Sequence, residues 1–300
     1  MPIHIGCSGW SYSDSVDKAG WVKIFYPDTQ TKKLQYYSQF FNTAEMDATF
    51  YKKFYKYMTK QTFIAMSKGT PDSFQFSIKV PETVTHDKRL DINKGAMASL
   101  EEFLDKISPL KLANKLGAVL VQLPPSFTVR EFKNTEEFLD RLPSGYDYAI
   151  EFRNPSWNTE GPWEMLKHYY IAAVMTDSPE QDRLQFLSEL TVTANHSFIR
   201  WHGRNAKHRY NYLYSKEELK PWVDKVKQIS IETPVVRGYF NHYGAKAVIN
   251  ALQFKGMLGD SLSEMEKQAL NHAQDYYQQK GQSSVPGQVT LDDVKKVSKI

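Results

Sequence analysis

Apolar positions along the chain gather into eight short runs, most of them followed by a stretch with helical spacing. The runs are His4–Ser8, Thr43–Thr49, Ser73–Val80, Gly117–Leu123, Asp147–Arg153, Ile171–Asp177, Ser197–His202 and Pro234–Asn241. Between them, Lys33–Phe41, Lys56–Lys68, Met97–Leu116, Thr135–Arg141, Gly161–Tyr169, Lys216–Ile229 and Ala245–Leu258 carry apolar residues three and four apart, the period of an amphipathic helix. Ser215-x-x-Glu218 has the spacing of a capping box before the helix that follows the seventh strand, and Asn134 and Thr135 can cap the helix after the fourth. Eight β-then-α units predict an α/β fold, a closed (β/α)8 TIM-like barrel. The rival open, doubly wound sheet needs a Gly-rich first turn with an acidic residue ~20 positions on, and the chain lacks it.

After the eighth helix, Ser261–Lys280 reads as a further amphipathic helix with a second box, Ser263-x-x-Glu266. Gly281–Gly287 has linker composition, and the tail to Ile300 is rich in Lys and Asp. The expected organisation is a barrel over 1–260 and a C-terminal helix, linker and tail over 261–300.

Side chains of a strand alternate between its faces. Phe74, Phe76, Ile78 and Val80 therefore oppose Gln75, Ser77 and Lys79; Val119, Val121 and Leu123 oppose Ala118, Leu120 and Gln122; Ile199 and Trp201 oppose Phe198, Arg200 and His202. Tyr148, Ile150 and Phe152 oppose Ala149, Glu151 and Arg153. Glu45, Asp47 and Thr49 fall together, as do Arg237, Tyr239 and Asn241, and Asp177 ends the sixth run. In a barrel the apolar face meets the helices and the other faces the axis. The predicted axis-facing set holds the acids Glu45, Asp47, Glu151 and Asp177 and the bases Lys79, Arg153, Arg200 and Arg237, at the carboxyl ends of strands where α/β barrels bind ligands.

Composition narrows the picture. Hydrophobic residues at 41% and aromatics at 14% supply a large core, which excludes global disorder. A net charge of +4 does not by itself indicate nucleic acid, because that inference needs basic residues on one face. Cys7 is the only cysteine, so no internal disulfide and no multi-Cys metal site can form. No charged-then-apolar leader opens the chain and no run of ~18 apolar residues occurs; a cytoplasmic protein without membrane association is expected.

The chain resembles the YecE-like family, domain of unknown function 72, along most of residues 3–258. The matching motifs are Ile5-Gly-Cys-Ser-Gly-Trp-Ser-Tyr12, Phe25-Tyr-Pro27, Ala44-Glu-Met-Asp-Ala-Thr-Phe-Tyr51, Phe76-Ser-Ile-Lys-Val80 with Thr85-His86, and Gln122-Leu-Pro-Pro-Ser-Phe127. Glu151-Phe-Arg-Asn-Pro-Ser-Trp157, Asp177, Arg200-Trp-His-Gly203, Phe240-Asn241 and Asn250-Ala251 continue the series in order. Asp47, Asn154 and His242 depart from the family's pattern. The resemblance implies a TIM barrel and no particular reaction.

Four acids against four bases favour a network of ion pairs, since one unpaired buried charge costs roughly 3–5 kcal/mol. A plug made only for stability needs no charges at all, so the expectation is a site, and an enzyme acting by acid–base chemistry as a hydrolase or isomerase. Glu45 and Glu151 are the candidate acid/base pair, with His202 and Asp177 as further catalytic candidates. Lys79, His86, Gln122, Arg153, Arg200, Asn241, Trp10, Tyr12 and Arg204 are candidate contacts to an anionic or phosphorylated, sugar-like or nucleotide-like ligand. No cofactor is required, but a divalent metal held by Glu45, Glu151, Asp177 and His202 stays open as the signature of an isomerase or a phosphodiesterase- or endonuclease-like barrel. The segment from Arg204 to Tyr214 interleaves basic and aromatic residues, which suits a phosphate or, in a non-catalytic module, nucleic acid. Trp10, Tyr12, Phe50, Tyr51 and Trp157 can wall a pocket. The sequence is silent on oligomeric state.

Overall fold

The computed structural model describes residues 2–10, 13–15, 20–178, 191–205, 207, 210–241 and 243–283. Eight parallel strands close into a barrel in sequence order: β1 (Ile3–Ser8), β2 (Thr43–Met46), β3 (Gln75–Lys79), β4 (Leu116–Gln122), β5 (Tyr148–Glu151), β6 (Ala172–Asp177), β7 (His196–Trp201) and β8 (Val235–Phe240). The outer helices are α1 (Lys33–Tyr37), α2 (Lys52–Tyr55), α3 (Lys60–Lys68), α4 (Ala96–Leu112), α5 (Phe132–Asp140), α6 (Glu160–His168), α7 (Lys216–Glu232) and α8 (Lys246–Leu258). α9 (Glu264–Ser283) follows.

Both predicted capping boxes form. Ser215 and Glu218 exchange hydrogen bonds at the start of α7, and Ser263 and Glu266 do so before α9. The expected caps of α5 at Asn134 and Thr135 do not form. The chain turns in earlier, through a box of Thr128 and Glu131, and Thr135 instead returns its hydroxyl to the Glu131 carbonyl. α9 buries Ala273 in the main core and ties Glu266 to Lys255 of α8.

The period-2 assignments hold for β3, β4, β7 and β8. Phe76, Ile78, Val119, Val121, Ile199 and Trp201 join the apolar layer between strands and helices. A separate small apolar layer lies inside the barrel, made of Ala118, Leu120, Ala149, Ala172, Val174, Phe198 and Tyr239 with Ala194. The Tyr239 hydroxyl bonds Thr43 at 2.9 Å and Ser77 at 2.7 Å across that layer. The barrel is therefore filled, with polar inward residues above and below a mostly apolar middle.

Two glycines are dictated by geometry. A Cβ on Gly6 would lie 2.3 Å from the Thr43 carbonyl oxygen where β1 meets β2. Gly9 turns the chain out of β1 with a φ of 88°, a region costly for other residues. Cys7 between them faces the helices, fully buried, and burial pushes its thiol well above the usual range.

Candidate functional site at the carboxyl end of the barrel

Arg200 near the end of β7 organises the site. Its Nε and Nη2 donate to the two oxygens of Glu45 at 2.8 and 2.6 Å, and its Nη1 donates to Glu151 at 2.6 Å and to Gln122 at 2.9 Å. Ser8 of β1 donates to the same Glu45, and Arg153 Nε donates to Glu151 at 2.7 Å. Strands β1, β2, β4, β5 and β7 thus send one polar side chain each to a single fully buried network. Burial opposes the charge on Glu151, yet Arg200 and Arg153 outweigh it and hold the carboxyl well below the usual range. A carboxylate so stabilised is a poor proton carrier near neutrality, and both oxygens of Glu45 are likewise engaged. The arrangement makes these two acids the frame of the site.

Lys79 at the end of β3 differs. It is 6% exposed, and among the described residues its Nζ makes no hydrogen bond or ion pair, lying instead 3.6 Å from the centre of the Phe50 ring. Burial, then repulsion from Arg200 and Arg153, lowers its pKa to about 7, against a pull from Glu151 and Glu45. The terminal nitrogens of Arg153 also have no partner among the described residues, on a side chain only 14% exposed. Two cations with unspent donors therefore remain beside a saturated network.

His202 is fully buried, and its Nε2 is 3.5 Å from Glu151, too far for a formed hydrogen bond. Asn241 Nδ2 approaches its Nδ1 at 3.4 Å. Burial brings its pKa down to about 4, only partly offset by Glu151. His86 sits in the turn Thr83–Asp87 beside Thr85 and edge-on to Phe50. Burial, then Lys79 and Arg153, bring it to about 4 as well. Both histidines are neutral at pH 7.

Several expectations change. Asp177 is not axis-facing: Ala172 and Val174 take the inner side of β6, so Asp177 points outwards, where Arg204, Tyr214 and Trp222 of α7 hold it at 2.6–2.8 Å. Arg204 is spent on that pair and is not a free anion contact. Arg237 faces inward at the opposite, amino end, against Asp147 and Gln75. β2 ends at Met46, and Asp47 with Thr49 lies in the turn around Ala48–Phe50; burial, then Glu45, raises the Asp47 pKa. Glu45, Glu151, Asp177 and His202 do not gather as metal ligands, since Asp177 stands apart and Arg200 already bridges the two glutamates. Among the described residues no three His, Cys, Asp or Glu side chains form such a group.

Trp10 packs edge-on against Phe76, and Trp157 is buried in a stack with Phe152 and Phe127. Neither walls the site. Tyr12 and His242 lie outside the described residues. Ser8 was not foreseen, although it shares the inward side of β1 with Gly6. Two cavities of about 410 and 500 Å³ lie against α9 and its approach, and no residue of the charged network lines either.

These features sit within a known grouping. The family model described as protein of unknown function DUF72 matches residues 4–275. The chain belongs to the DUF72 family. It is 28% identical to the UPF0759 protein YunF of Bacillus subtilis, over 90% of this chain and 99% of that one. It is 30% identical to the UPF0759 protein YecE of Escherichia coli K12, over 54% of this chain and 52% of that one. Among solved structures, a DUF72 family protein (TM1631) from Thermotoga maritima superposes with a TM-score of 0.70 at 30% identity, covering 86% of this chain and 99% of that chain. A DUF72 family protein (EF0366) from Enterococcus faecalis, at 24% identity and a TM-score of 0.68, covers 87% and 97% and shares the fold. No helix among the described residues is long and apolar enough to cross a membrane.

Proposed function

We propose that this DUF72 barrel is an enzyme whose carboxyl-end site binds a small anionic ligand through Arg153 and Lys79, with Lys79 exchanging protons with the ligand. The observation that carries the reading is the contrast within one cluster: Arg200 spends its donors on protein partners, whereas Lys79 and the end of Arg153 do not, although both are mostly buried. These donors lie on mostly buried side chains but are not sealed from solvent, so an incoming carboxylate or phosphate can reach them and add charged hydrogen bonds that the protein does not supply. A pKa of about 7 for Lys79 supports proton exchange at neutral pH. The reading shifts the acid–base role from Glu45 and Glu151 to Lys79 and keeps the anionic ligand.

Inorganic phosphate titrated by calorimetry is the direct test. Binding to the wild type, weakened about tenfold or more by Arg153→Ala, is the expected result, since a charged hydrogen bond is worth about 1.5–3 kcal/mol. Phosphate affinity unchanged by that substitution sinks the reading.

A second reading rests on the rim. Tyr51, Phe54 and Tyr57 are exposed, with Lys53 and Lys56 lying over their rings, a pattern suited to stacking single-stranded bases. Affinity for an oligonucleotide that falls steeply with salt, with no turnover, selects the non-catalytic module instead.

A further inference from the structure

Lys79 has the surroundings of a nucleophile as well as of a proton carrier. It leaves the end of β3 on the inward side, and its amine rests on the face of Phe50 with no hydrogen-bonding partner among the described residues. No described residue therefore ties up its lone pair when the amine is neutral. The charged groups acting on it are Arg200 and Arg153 on one side of the balance and Glu151 and Glu45 on the other; Asp47 and His86 also sense its charge. Desolvation and adjacent cations are the two devices that convert a lysine into an attacking amine.

We propose that Lys79 captures the carbonyl carbon of an anionic aldehyde or ketone as an imine, with the unspent nitrogens of Arg153 holding the ligand's anionic group. The inference rests on the anion-site reading above and adds the carbonyl that the anion delivers. The lone pair of Nζ forms the new C–N bond while the carbonyl π pair moves to oxygen. One N–H proton passes to that oxygen, giving a carbinolamine. Its hydroxyl then leaves with one further proton as water, and the nitrogen pair closes the C=N bond of an iminium. Starting from the ammonium form, the sum is ammonium plus carbonyl giving iminium plus water. The proton released to make the amine is the one consumed in losing water, so no oxidant, reductant or further reagent is needed. The resulting iminium would sit beside Glu151 and Glu45, whose charges offset it.

The test uses the full chain and reductive trapping. The protein is incubated with glyoxylate, with glycolaldehyde phosphate or with neutral acetaldehyde, reduced by cyanoborohydride at pH 7, and mapped by peptide mass. At pH 7 an ordinary surface lysine has on the order of one amine in a thousand or fewer, against about half for a group with a pKa near 7. The expected result is label on Lys79 at least about tenfold above the surface lysines. Arg153→Ala slows labelling by every probe, because a neighbouring cation that lowers the Lys79 pKa is gone, and slows it about tenfold more with glyoxylate or the phosphate than with acetaldehyde; an equal slowing with all three probes removes Arg153 from anion binding. A stronger adduct with one anionic probe tells carboxylate from phosphate. Label spread over surface lysines with Lys79 unmodified, while phosphate still binds in an Arg153-dependent way, overturns the imine and leaves the anion site standing. Absence of both overturns both.

Discussion

The barrel buries an inward arginine at each end, from neighbouring strands, and the two are treated differently. Arg200 at the carboxyl end lies between two fully buried carboxylates and donates four hydrogen bonds. Arg237 at the amino end bonds Asp147 at 3.0 Å and approaches Gln75 at 3.4 Å, while its Nε has no partner among the described residues. The side chain of Asp147 is 37% exposed. The amino-end pair thus keeps one foot in water, which limits both its desolvation cost and its strength. At the carboxyl end Arg200 and both glutamates are buried together, which stakes much more on their pairing. A closure made for stability alone is served by the amino-end design. The more expensive arrangement, with Lys79 left over beside it, marks the end where the site is proposed.

The sharpest way to break that contrast is Arg200→Met, which leaves Glu45 and Glu151 buried without their shared cation. A loss of roughly 3–5 kcal/mol in equilibrium denaturation is expected, and a loss under about 1 kcal/mol would mean that water reaches the network. Acid comes next, acting gradually at both ends. Burial first, and then nearby cations, hold His4, His196, His86 and His202 below the usual 6.5, the last three at about 4. In the unfolded chain these groups bind protons that the native state refuses, so stability should fall as pH drops from about 6.5 towards 4. Denaturation midpoints measured across that window check the slope, and His202→Asn should flatten it. A curve as steep in the variant would remove His202 from the effect. The smallest change is expected from Arg237→Met, about 1 kcal/mol or less, because Asp147 can rehydrate. A loss equal to that of Arg200→Met would erase the distinction between the two ends.

The fold was legible because it rests on local periodicity. Inward and outward positions of β3, β4, β7 and β8 followed from alternation, and Ser215 with Glu218 announced α7 through a contact three residues long. β6 failed for a physical reason. Ala172, Ala173, Val174 and Met175 make both faces apolar, so alternation carries no sign there and does not tell that Asp177 points to α7. Asp47 failed because the strand ends at Met46 and the turn beyond has a different period. The same locality hid which inward charges share a level: Arg237 and Arg200 read alike in sequence and lie at opposite ends.

The sequence by itself determined the eight-unit barrel, its family and the inward-facing identity of Glu45, Lys79, Glu151 and Arg200, because strand alternation and turn chemistry act over a few residues. Only the tertiary structure decided that Arg200 joins the two glutamates, that Arg153 and Lys79 keep unspent donors, and that Asp177 and Arg204 belong to each other. Those outcomes depend on the stagger with which eight strands close, a property of the whole ring that no single segment contains.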